Sequence, residues 1–178
     1  MHARPQAIDQ IGFLVDDLDA AVARWIRHSG VGPWTVFRNV TMDGDYRGTP
    51  TRVGMDVALG YQGDMQIELI KVTNEAPSPY RADDGTPLSG LHHLARIVDD
   101  LDAAVTDAQA RGLRLDYTAF NPATRVAYLS APDEPGTLFE FIQGAGMRAM
   151  WETGVAEARS WNGEDPVRVI DFATTDPL

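Results

Sequence analysis

Four polar residues stand in apolar, strand-forming surroundings: Gln10, Glu68 in Gln66-Ile67-Glu68-Leu69-Ile70, His93 in Leu91-His92-His93-Leu94-Ala95, and Glu140 in Leu138-Phe139-Glu140-Phe141-Ile142. In a strand successive side chains point to opposite faces. Ile67 and Leu69 therefore share the face opposite Glu68, and Phe139 and Phe141 the face opposite Glu140. The same alternation sets Gln10, Gly12 and Leu14 against Ile11, Phe13 and Val15, and sets His93, Ala95 and Ile97 against Leu94 and Val98. A carboxylate in mid-strand is costly to bury unless it is neutralised, paired or bound to a metal. One nitrogen and three oxygen donors suit a divalent cation such as Zn, Ni, Co, Mn or Mg. No local spacing motif decides the matter, and satisfied polar groups in a small-molecule cleft are an equal reading at this level.

The elements that must position these residues are duplicated. Val15-Asp16-Asp17-Leu18-Asp19-Ala20-Ala21-Val22 returns letter for letter as Val98-Asp99-Asp100-Leu101-Asp102-Ala103-Ala104-Val105. A unit present twice means two half-domains closing on each other rather than a solenoid. The same offset pairs Gln10 with His93, so both are expected near a pseudo-twofold axis. The first copy reads as strand 8–15, helix 18–28 and strands near 34–42, 52–62 and 65–72, parted by Asp43-Gly44-Asp45 and Gln62-Gly63-Asp64. A Pro- and Gly-rich connector covers 73–90. The second copy reads as strand 91–98, helix 101–111 and strands near 113–119, 124–130 and 137–143, with a turn at Pro132-Asp133-Glu134-Pro135-Gly136. The Asp pairs 16/17 and 99/100 are expected as helix N-caps.

The fold class is thus α+β: two βαβββ modules forming a curved, partly open eight-stranded barrel with outer helices. The domain spans 7–144, with module 1 over about 8–72 and module 2 over about 91–143. An extension, 145–178, follows with a helix around 147–160 and a strand at 166–172, and has no counterpart in module 1.

Together these strands resemble those of the vicinal oxygen chelate superfamily of glyoxalases, bleomycin-resistance proteins and dioxygenases, over roughly residues 7–144. The resemblance implies one metal ligand from each of four strands, Gln10, Glu68, His93 and Glu140, around one divalent ion. Zinc-type glyoxalase I is similar in ligand identity, but the positions of its glutathione clamp hold Leu14, Val72 and Ser89 here. Methylmalonyl-CoA epimerases are similar in the Val-Asp-Asp-Leu-Asp-Ala-Ala and Leu-His-His-Leu-Ala stretches, yet usually carry His and Gln where Gln10 and Glu68 stand. The epimerase-like glyoxalase branch is the better likeness, through Gly30-Val31-Gly32-Pro33-Trp34 and Pro77-Ser78-Pro79-Tyr80.

That branch implies a metal-dependent isomerase, epimerase or lyase that transfers a proton next to a metal-bound oxygen of a small apolar metabolite, with Glu140 as first choice of base and Glu68 as second. The alternatives are a metal-free, drug-resistance-like binding protein and, against the loss of one histidine ligand, an extradiol-type dioxygenase. Trp34, Phe37, Tyr46, Tyr80, Phe120 and Tyr128 are candidates to line the substrate pocket. His92 is expected as a packed residue on the helix-facing side. Arg52 and Arg125 are expected in solvent-facing salt bridges rather than on a substrate anion. Trp151 and Trp161 would cover a homodimer surface or close the cleft.

Composition narrows the partners. The 26 acidic residues outnumber the 15 basic ones, for a net charge of −11, which opposes nucleic acid and anionic lipid. The absence of cysteine rules out disulfides, thiolate metal sites and thiol nucleophiles. No apolar run approaches membrane-spanning length, and Met1–Gln6 lack the apolar core of a leader, so a cytoplasmic, unexported protein is expected.

Overall fold

A computed structural model describes residues 7–133 and 136–173. The N-terminal hexapeptide and the centre of the 132–136 turn, Glu134 and Pro135, lie outside the described residues. The elements run β1 (Gln10–Leu14), α1 (Leu18–Ser29), β2 (Trp34–Tyr46), β3 (Thr49–Gln62), β4 (Met65–Val72), β5 (Gly90–Ile97), α2 (Leu101–Ala110), β6 (Arg114–Phe120), β7 (Arg125–Ser130), β8 (Leu138–Gln143), α3 (Met147–Ser160) and β9 (Val167–Asp171).

The duplicated octapeptide does the same work twice. Asp17 accepts a hydrogen bond from the Ala20 amide and Asp100 one from the Ala103 amide, each satisfying a helix-start donor that would otherwise lack a partner. One face of each helix is then buried on the outside of the sheet. Leu18, Ala21 and Val22 pack with Ile67, Leu69, Trp34 and Val36, whereas Leu101 and Ala108 pack with Ala127, Leu129 and Phe141.

The sheet order is β3-β4-β1-β5-β8-β7-β6-β2, and pairing of β2 with β3 closes the ring into the expected eight-stranded barrel. Its seam is narrow: only Asp43–Tyr46 of β2 pair with β6, while Trp34–Arg38 pair in parallel with β9 of the extension. β2 thus runs through Asp43-Gly44-Asp45, where the sequence suggests a break. Gly44 belongs there because a Cβ would stand 2.0 Å from the Thr118 carbonyl oxygen of the strand crossing it.

Inside the ring lies a third core that includes Leu14, Met42, Met55, Ile70, Tyr117 and Tyr128. The pseudo-twofold relation runs between β1 and β5, which are antiparallel neighbours, with β4 parallel to β1 and β8 parallel to β5. The strands carrying Glu68, Gln10, His93 and Glu140 are therefore four consecutive staves of the barrel. Among the described residues no helix is long and apolar enough to cross a membrane.

Candidate metal centre and substrate cavity

Period-two alternation turns all four donors into the barrel, as expected. His93 is fully buried, Gln10 and Glu140 are buried, and the Glu68 carboxylate is slightly exposed. The imidazole Nε2 of His93 is the point of convergence. It lies 3.1 Å from Glu68 Oε2, 3.1 Å from Glu140 Oε2 and 3.3 Å from Gln10 Oε1. A single N–H cannot aim at three acceptors, and the facing oxygens of Glu68 and Glu140 have no well-directed hydrogen bond.

Burial opposes charge on His93, but the Glu140 and Glu68 carboxylates outweigh it and push the imidazole up to about 10. Burial raises Glu140, against the pull of His93. A proton on Nε2 is thus the default counter-charge of a cluster whose donors lie within 4.8 Å of one another. A divalent cation fits in its place, since two buried carboxylate oxygens lack directed partners and the donor set is one imidazole nitrogen with three oxygens.

Two neighbours fix which atoms are offered to the centre. His92 Nε2 lies 2.9 Å from the Pro79 carbonyl oxygen, which only accepts, so Nε2 carries hydrogen. Burial, then the positive His93, lowers His92 to about 4, so its ring is neutral and its Nδ1 accepts. The 2.9 Å contact between the two Nδ1 atoms is therefore a donation from His93, which leaves Nε2 of His93 as the atom for metal or proton. The expected helix-facing position of His92 is overturned. A β-bulge between Gly12 and Phe13 pairs Gly12 with His93 and Phe13 with Leu91, and His92 packs inward against Tyr80 and Tyr128. Gln66, on the same strand face as Glu68, is the other neighbour. Its Oε1 accepts from Gln10 Nε2 at 2.8 Å, turning Gln10 Oε1 toward His93.

The carboxylates open on a cavity of about 340 Å³. Phe37, Tyr80 and Tyr128 line it as expected, joined by residues not anticipated: Met42, Met55, Val57, Leu59, Met147, Met150 and Phe172. Among the described residues, no lysine or arginine lines it. Tyr128 lies directly across from Glu140 on β7 and takes a hydrogen bond from the Tyr80 hydroxyl at 3.1 Å. The other three aromatic candidates lie elsewhere. Trp34 is buried in the outer core under α1, with its indole N–H donating to the Val31 carbonyl at 2.8 Å. Tyr46 faces a separate recess beside Arg47, and Phe120 is exposed at a groove beside α2. Arg52 and Arg125 pair with Asp43 and Asp102 in exposed salt bridges.

The extension lines one side of the cavity through Met147, Met150 and Phe172. Arg148 holds both carboxylate oxygens of buried Asp9, at 2.7 and 3.1 Å, and the Trp151 indole N–H donates to the Asp9 carbonyl. Trp161 packs over Gly32, where a Cβ would be 2.6 Å from its ring. These bonds seat α3 at the start of β1, with Met147 and Met150 facing the cavity.

Residues 9–128 match the model of the family described as Glyoxalase/Bleomycin resistance protein/Dioxygenase superfamily. No curated protein matches the chain. Among solved structures, methylmalonyl-CoA epimerase from Mycobacterium tuberculosis is similar at 21% identity and a TM-score of 0.51, covering 84% of this chain and 97% of that one. A hypothetical protein from Bacillus halodurans is similar at 20% identity and a TM-score of 0.50, covering 77% of this chain and 93% of its own. These likenesses concern the fold.

Proposed function

The chain belongs to the Glyoxalase/Bleomycin resistance protein/Dioxygenase superfamily, and from that premise we propose that it is a metal-dependent isomerase, epimerase or lyase moving a proton beside an oxygen of a small apolar metabolite. One observation carries this reading: four donors from four consecutive strands meet at His93 Nε2, and their carboxylates open on an apolar cavity. Gln10, Glu68, His93 and Glu140 would hold the ion, which when bound supplies the charge that acidifies a C–H next to a coordinated oxygen.

The chain's own residues supply the rest. Glu140, raised by burial, is suited to accept and return a proton, and Tyr128 is its cross-strand neighbour. Glu68, the more exposed carboxylate, is the second candidate base. Methionine and aliphatic side chains exclude water from the reacting carbon and accept ligands of varied shape. A coenzyme A or glutathione conjugate would need cationic partners, and among the described residues none lines the cavity.

Incubation with candidate carbonyl metabolites in deuterated water, with Zn, Ni, Co, Mn or Mg added, tests the reading. Deuterium should enter the carbon beside the coordinated oxygen, and Glu140→Gln should stop it with the fold intact. Oxygen consumption during turnover would instead establish dioxygenase chemistry.

The imidazolium of His93 between two carboxylates gives a second reading a specific basis, because it neutralises much of the site without metal. On that reading the chain is a metal-free binding protein. Purified protein free of divalent ions, and indifferent to added ones, would decide for it.

A further inference from the structure

We propose that Gln66 and Tyr61 are positioning residues for the ligand Gln10, and that α3, by packing on Tyr61, makes the C-terminal extension part of the metal centre. The proposal rests on the metal-site reading above and extends it outside the residues matched by the family model.

A glutamine side chain presents either oxygen or nitrogen, and only its oxygen can coordinate a cation. Nothing in Gln10 itself chooses between them. In the structure the oxygen is presented through a line of three side chains: Gln10 Nε2 donates to Gln66 Oε1 at 2.8 Å, and Gln66 Nε2 donates to the Tyr61 hydroxyl at 2.6 Å. With the Gln66 amide held at its far end by Tyr61, its oxygen faces Gln10, and the Gln10 oxygen faces His93. Gln10 and Gln66 are both buried, so water cannot replace a lost partner freely.

Tyr61 is in turn seated by α3. A Cβ on Gly154 would stand 2.1 Å from Tyr61 Cε2 and 2.6 Å from its hydroxyl oxygen. Gly154 lies in the interior of α3, where alanine is the better helix former. The close approach of the Tyr61 ring is what glycine permits there. The same helix anchors Asp9, the residue before Gln10, through Arg148 and Trp151. The extension thus bears on the first ligand from both its backbone and its side chain.

The test is a cobalt(II) titration followed by visible absorption, with zinc affinity by competition, on full-length protein. Gln66→Met should weaken both metals about 10- to 100-fold, and Gly154→Ala, which favours the helix but displaces Tyr61, about tenfold. In a Gln10→Ala background both substitutions should lose their effect, because they act only through Gln10. Unchanged affinity in Gln66→Met, or losses that add to that of Gln10→Ala, would overturn the proposal while leaving the metal site standing. A wild-type protein that binds neither cobalt nor zinc would overturn the metal reading itself, and this proposal with it.

Discussion

The ring of His93 occupies the space where a side chain on Gly12 would begin: a Cβ there would lie 1.9 Å from Cε1 and 2.1 Å from Nε2. The two residues are register partners across β1 and β5. Gly12→Ala should force His93 out of the centre at a cost of about 1–3 kcal/mol from overpacking. Metal affinity should fall by at least about 100-fold, since a ligand is lost rather than loosened. Calorimetric titration with zinc, beside circular dichroism to verify the sheet, checks this. Wild-type affinity in Gly12→Ala would mean that His93 is not a ligand.

Replacing His92 removes the acceptor that holds His93 Nδ1–H. His92→Phe should lower zinc affinity about 10- to 100-fold, with the substituted ring still filling the space beside Tyr80 and Tyr128. Nitrogen-15 NMR of the wild-type zinc complex should show hydrogen on Nδ1 of His93 and on Nε2 of His92. Hydrogen on Nε2 of His93 in that complex would contradict the assignment.

Metal uptake should release a proton. His93 at about 10 carries Nε2–H at neutral pH, and the cation takes that atom. The sign is that of competition: apparent affinity rises with pH, by about tenfold per unit, and flattens as pH approaches the imidazole's own value in the metal-free protein. Titrations in buffers of different ionisation enthalpy between pH 7 and 9 count the protons. Release of none would place His93 outside the coordination sphere.

Asp9 is buried and takes two hydrogen bonds from Arg148 and one from the Ile97 amide. Arg148→Ala should cost about 1–3 kcal/mol, because the amide alone cannot compensate a buried carboxylate. Arg148 is itself partly exposed, so the low end of that range is expected. Denaturant melts at neutral pH, and proteolysis within residues 147–160, measure it.

Local rules reach far into this chain. A strand side chain's face follows from period two, and a helix start from an Asp beside apolar residues at helical spacing. Hence the elements, the α+β barrel built from a repeat, and the inward aim of Gln10, Glu68, His93 and Glu140 were legible in the letters. The extension's helix and strand were legible for the same reason, although nothing local said where they would dock.

What only the tertiary structure decided are through-space relations, which depend on register and on contacts between distant segments. The bulge beside Gly12 is a property of two paired strands, and it moved His92 from the expected outer face into the Tyr80–Tyr128 cluster. Trp34, Tyr46 and Phe120 share aromatic character with Phe37, Tyr80 and Tyr128, but barrel curvature and the position of each helix sent them to other places. Gln66 could have been found as a same-face neighbour of Glu68, whereas Tyr61 and Gly154 could not. They meet across 93 residues of chain, and only the folded path of α3 over β3 and β4 brings a helix without side-chain bulk against the ring that steadies Gln66 and, through it, Gln10.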